Sequence, residues 1–425
     1  MDAIYAKSLP SRPNLEQYRK QAKDLLKACR AGDLDAVRRI NHQRPRASET
    51  EPELTASDCT LAEVQFALAR EHGFESWPKF SHHLQGLAGG TVRQYESAVD
   101  AIVGGDVAHL ESLLDSDPGL VRARSTRVHG ATLLHYVAAN GVESYRQKTP
   151  SNAADVADLL LRRGAAADAT ALMYSGPATT MGLLVSSVHP AEAGVQVALV
   201  HQLLDFGAAV DGPDGDGGPL LTAVMFSYSA AADALVQRGA RVDNIVAAAG
   251  IGREDLVRAF VDDTGSLRPN VRVVSVPTPR SAPDARLNLG WALVCAAVHG
   301  HTGIVEFLVQ HGVDVGARGF AGLTALHWAA IHAHTDIVDL LVENRAPLED
   351  TENHHHATVL GCAVWSAGRS PSGDFVPVIE RLLTAGARVD GVEFPTGNEA
   401  VDDLLRRSGA RAAGRSAGQP GGLPG

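Results

Sequence analysis

Histidine titrates near neutral pH and ligates metals, so this chain's histidines are the first place to look for chemistry. Two of them are matched in position. His299 and His332 each stand two places after an Ala-Ala pair, and each is followed two residues later by another, His301 and His334. A further run is His354-His355-His356. Imidazole suits zinc, copper or nickel. Adjacent residues in a turn point in different directions, however, and no cysteine or carboxylate stands nearby at a tetrahedral spacing. No metal is expected. His299 and His301 are not expected to act together, because residues i and i+2 of a helix do not face each other. Phe320, Ile331 and Trp365 lie in the same stretch of chain and read as contact anchors, since aromatic side chains concentrate at interface hot spots. Tyr145-Arg146-Gln147-Lys148 is cationic with one aromatic residue, and Tyr145, Arg146 and Lys148 suit an anion or an acidic partner met by the arginine fork. Asp214-Gly215-Asp216-Gly217 starts like a calcium loop but lacks the rest of that spacing and its terminal Glu, so it reads as a turn. No nucleophile motif, P-loop or dinucleotide glycine pattern is present, and no cofactor is expected.

Composition narrows the classes further. The chain has 425 residues, 45% of them hydrophobic but only 5% aromatic, and a formal net charge of -11. Apolar content carried by Ala, Leu and Val suits thin, closely packed helix layers. The acidic balance argues against a nucleic-acid partner, which would need a basic face. No apolar run approaches the roughly 18 residues that span a bilayer, so no membrane contact is expected. Met1 to Pro13 lacks the pattern of a secretory signal. Cys29, Cys59, Cys295 and Cys362 form no CxxC pair and read as reduced, mostly buried thiols of a cytoplasmic protein.

The elements that must position these residues repeat. Thr324-Ala325-Leu326-His327-Trp328-Ala329-Ala330 has the T-x-L-H form, and Thr132-Leu133-Leu134-His135 has it again. A shift of 33 residues places Ala296-Ala297 on Ala329-Ala330, Ile304-Val305 on Ile337-Val338 and Phe307-Leu308-Val309 on Leu340-Leu341-Val342. This signature and period resemble the ankyrin repeat. The resemblance implies an all-α ankyrin-repeat solenoid of about eight to nine helix-turn-helix units. It also implies that Thr and His of the T-x-L-H unit brace a turn, and that the residues after Ala-Ala face the concave side.

The units are tracked by Leu113, Leu160, Leu203, Leu235, Phe260, Leu308, Leu341, Leu382 and Leu404, and by turns such as Gly312-Val313. Arg345-Ala346 departs from the glycine rule, which predicts a local cost or a shifted cap. Insertions are expected at 145–152, 186–195, 268–284 and 366–375. Val271 to Val276 reads as a short edge strand or an extended loop.

Residues 14–90 are predicted to form a small helical domain that caps the repeats. Asn14, Thr60 and Ser76 are its helix caps. Arg19 to Leu26, Arg30 to Asp33 and Ala69 to Pro78 resemble the domain that precedes the repeats in a family of bacterial ankyrin-repeat proteins. Residues 1–13 are expected to be flexible, 91–411 to form the solenoid and 412–425 to be a disordered tail.

The function expected is non-catalytic: a recognition module or scaffold that binds a protein partner on its concave face. The alternative is a small-molecule-binding protein or enzyme with a His- and aromatic-lined pocket on that face, roofed by the insertions.

Overall fold

A computed structural model describes residues 6–44, 54–174, 176–276, 284–370 and 373–410. The predicted tail at 412–425, residues 277–283 of the third insertion, and parts of the 1–13, 45–56 and 366–375 segments lie outside the described residues. The chain divides into two compact units, 1–219 and 220–425.

The first unit opens with α1 (Leu15–Arg30), α2 (Leu34–Gln43), α3 (Leu61–Glu71) and α4 (Trp77–Gly86). Their starts follow from local chemistry. Asn14 accepts from the Glu16 amide, Ser76 from the Lys79 amide, and Thr60 with Glu63 closes a capping box. These bonds satisfy amides that have no partner within a helix. Tyr18, Phe74 and Phe80 pack as one aromatic group, with Tyr18 and Phe80 edge to face at 4.9 Å. Ala22, Ile40 and Leu68 form a second apolar group. In that group Cys29 and Cys59 are joined by a disulfide, which corrects the expectation of four reduced thiols. The partners lie 30 residues apart, one in α1 and one in the loop before α3, so no spacing motif announces them. The cysteine-based ground for a cytoplasmic setting goes with it.

Two helix layers follow. One holds α5 (Thr91–Gly104), the 3₁₀ segment Leu133–Ala138 and α8 (Thr180–Leu184). The other holds α6 (Val107–Ser116), α7 (Ala153–Arg162) and, beyond the short α9 (Val188–Glu192), α10 (Gln196–Asp205). Between α7 and α8 in the chain a finger is built by β1 (Thr170–Met173) paired antiparallel with β2 (Gly176–Thr179).

The second unit repeats the plan. Its helices are α11 (Gly218–Met225), α12 (Ser229–Gln237), α13 (Ile245–Gly250), α14 (Glu254–Phe260), α15 (Ala285–Val298), α16 (Thr302–Gln310), α17 (Ala325–Ile331), α18 (Thr335–Glu343), α19 (Val359–Ala367), α20 (Val376–Thr384) and α21 (Glu399–Arg407). First helices α13, α15, α17 and α19 stack in order, and second helices α14, α16, α18 and α20 do the same. This is the nearest-neighbour packing of a solenoid. Leu308, Leu341 and Leu382 are fully buried between the layers. The tracking register is one residue early at three places: Leu114, Val261 and Leu405 are buried, while Leu113, Phe260 and Leu404 are half-exposed.

The turns after the second helices need a left-handed residue. Gly312 takes φ 78°, and Arg345 takes φ 63° in the matching place, so the cap is kept and the cost accepted. Val271 to Val276 is not a strand. The segment is a loop held by two side chains: Asn288 accepts from the Val274 amide at 2.8 Å and donates to its carbonyl at 2.9 Å, and Asp243 accepts from the Arg272 guanidinium at 2.7 Å.

Candidate functional site

The T-x-L-H units act as braces. Thr324 Oγ1 and His327 Nδ1 are 2.8 Å apart, and His327 Nε2 meets the Asp350 carbonyl at 3.1 Å. Thr132 and His135 repeat the pair at 2.8 Å. Burial pushes the pKa of His135 and His327 down to about 4.

The matched histidines sit where α15 and α17 end. His299 Nε2 meets the Val224 carbonyl at 2.9 Å, and its Nδ1 lies 2.8 Å from Ser229 Oγ. A carbonyl can only accept, so Nε2 carries the proton and Nδ1 accepts from the serine hydroxyl. Burial lowers the pKa of His299, and the ring is neutral. His332 is exposed, with Trp328 stacked at 5.8 Å and His334 at 5.7 Å from its ring. Burial of the rest of its ring, then His334 and His299, push its pKa down.

The i, i+2 argument fails here. His299 and His301 stack at 6.1 Å because α15 ends at Val298 and the chain reverses between them, so helical geometry does not apply. His301 and His334 are then free to brace the preceding first helices, through the Gly250 carbonyl at 3.0 Å and the Val298 carbonyl at 3.2 Å.

Phe320, half-buried in the finger before α17, packs on Phe226 at 5.3 Å. Ile331 is half-buried at the end of α17. Trp365, half-buried on α19, has the Arg369 guanidinium over its ring at 4.5 Å, and Arg369 also pairs with Glu393 at 3.1 Å. His354 and His355 are exposed. Their amides, with that of Ala357, donate to the buried Glu352 carboxylate, which organises the turn from beneath. Among the described residues no three His, Cys, Asp or Glu side chains converge as a metal group. Burial pushes the thiols of Cys295 and Cys362 up to about 12, so neither supplies a thiolate near neutral pH.

Trp328 and Phe226 belong with this group and were missed by the sequence reading. Trp328 lies four residues before His332 on one helix, a spacing that puts both on one face. Phe226 had no such signal, because only the fold brings α11 near the finger.

The cationic turn is different. Lys148 is exposed and Tyr145 half-buried, but Arg146 is buried and already engaged. Its guanidinium reaches Glu96 and Asp100, each at 2.7 Å. Arg127 meets Glu96 and Glu143, each at 2.6 Å. Burial alone would raise the carboxyl of Glu143, but Arg127, His129 and Arg146 outweigh it and hold the group far below the usual range. The fork therefore closes a buried network of Glu96, Arg127, Glu143 and Arg146 rather than standing open as the loop's cationic composition suggested. Glu96 carried a signal: it lies among Tyr95, Ala98 and Val99 on the apolar face of α5.

Residues 293–391 match the family description "Ankyrin repeats (3 copies)". The chain carries ankyrin repeats. The matched stretch covers most of α15 through α20 and holds all the predicted contact residues outside the 145–148 turn. No curated protein matches the chain. Ankyrin repeats are in general protein-interaction modules.

Proposed function

We propose that the chain is a non-catalytic recognition module that binds a protein partner on the face carried by the first helices and fingers of its C-terminal repeats. The observation that supports this most is the set of half-exposed rings on successive elements: Phe226 with Phe320, Trp328 with His332, and Trp365 under Arg369. Flat rings present large contact area at low entropic cost, which suits interface anchors. Neutral histidines beside them add hydrogen-bonding edges without a charge to desolvate. His354 at the neighbouring finger turn extends the face.

The test is affinity capture from native lysate with the full chain and with a Phe320→Ala/Trp365→Ala variant. Each aromatic anchor contributes about 2 kcal/mol or more, so the double variant is expected to lose capture while its melting temperature holds. A partner captured equally by both proteins overturns the assignment of this face.

A further inference from the structure

We propose that the cleft framed by α4, α5 and the 145–146 turn binds a small organic anion, a carboxylate or phosphate joined to an apolar group. This site is built from other residues than the aromatic face and does not depend on its function. The cleft has a volume of about 570 Å³, within the usual size of small-molecule sites.

Its charge runs against that of the chain. Arg12, Arg93, Arg127 and Arg146 line it, against the carboxylates of Glu96 and Asp100, with Glu143 set behind Arg127. In a protein of net charge -11 this is a local reversal of sign in a concave place, where fields focus and concentrate anions. The floor is rigid. The side chains of Arg127 and Arg146 are 2% and 8% exposed and share the two oxygens of Glu96. Arg127 also donates to Tyr145 Oη at 3.3 Å. Engaged in this way, the two guanidiniums fix the shape and field of the floor, and direct charge contacts fall to the rim.

The rim is open. Arg12 and Arg93 are exposed, and among the described residues neither is held in an ion pair.

A buried polar atom points the same way. His83 also lines the cleft and is fully buried, with Nδ1 2.7 Å from Thr126 Oγ1. Its Nε2 has no partner. A buried polar atom left unpaired is costly, and a ligand atom or a water carried with it would satisfy this one. Burial and then Arg127 push the pKa of His83 down to about 4, so it offers a neutral contact near pH 7. Leu9, Pro10, Leu84 and Leu87 supply an apolar wall for the rest of the ligand.

The full chain is titrated by calorimetry with phenyl phosphate, benzoate and inorganic phosphate at constant ionic strength. Saturable binding of phenyl phosphate or benzoate is expected at a dissociation constant of about 1 mM or tighter, with inorganic phosphate weaker because it cannot use the wall. An Arg12→Glu/Arg93→Glu variant changes only exposed residues. It is expected to keep the ligand-free melting temperature and to lose at least about tenfold in affinity. Whichever organic probe binds identifies the headgroup. Binding of neither organic probe, or equal binding by the variant, overturns the proposal.

Discussion

At the residue scale the buried histidines and ion pairs decide how the protein answers to pH. His135 and His327 have folded pKa values of about 4 against an ordinary value of 6.5. The fold thus favours their neutral form. As pH falls below about 6.5 the unfolded chain takes up protons first, and stability is lost progressively down to about 4, below which both states are protonated. Each such histidine contributes up to roughly 3 kcal/mol to this loss. Urea unfolding at pH 7 and at pH 4.5 measures it, and His327→Gln is expected to flatten the difference. An unchanged slope in that variant would show that His327 is not the group involved. Partner binding should respond differently from what the sequence suggests. A free histidine predicts a change near pH 6, but His299 and His332 are both shifted down, so the change is expected below pH 6. The buried network carries its own prediction. Arg146→Ala strands Glu96 and Glu143 without one of their cations, and truncating a buried pair costs about 3–5 kcal/mol. Equilibrium unfolding of that variant checks it, and a loss under about 1 kcal/mol would mean that water replaces the arginine freely.

At the element scale, stability passes from repeat to repeat through buried leucines. Leu341, on α18, is 0% exposed. Leu341→Ala is expected to cost about 2–5 kcal/mol through lost burial and the cavity left behind. Because each repeat touches only its neighbours, hydrogen exchange should quicken in α17 to α20 before the rest of the chain. Uniform exchange would contradict a nearest-neighbour solenoid. This layer was legible in the sequence because apolar side chains recur with the period of the unit. What could not be read has physical causes. The register slips at Leu113 and Leu404 because adjacent leucines satisfy the helical pattern equally. Val271 to Val276 has strand-forming residues, yet Asn288 offers a side-chain amide in place of a neighbouring strand. The partners of Arg146 are 46 and 50 residues away, beyond any local pattern. Likewise His299 reaches a carbonyl 75 residues back, over a short first helix that ends in Gly250.

At the scale of the whole molecule, a stacked protein must close its ends, because every repeat buries one face on the next and the terminal ones have none. Within the first unit, we propose, the N-terminal helices do this. α4 packs on α5, the Val128 amide donates to the Gly73 carbonyl at 3.1 Å, and Arg127 lies over the Phe74 ring at 5.5 Å. His83 reaches Thr126 from the same side. Removing residues 1–87 would bare the part of α5 on which α4 packs, together with the charged pair Glu96 and Arg127, over which Phe74 lies. The second effect is the more damaging, since an ion pair stable in a dry setting loses its shield while the apolar surface around it seeks a new partner. The truncated chain is therefore expected to aggregate, or to melt well below the full chain. Light scattering and a thermal melt read this directly. A soluble, monomeric 88–425 fragment with the parent melting temperature would show that the first repeat closes itself and that the N-terminal helices are not its cap.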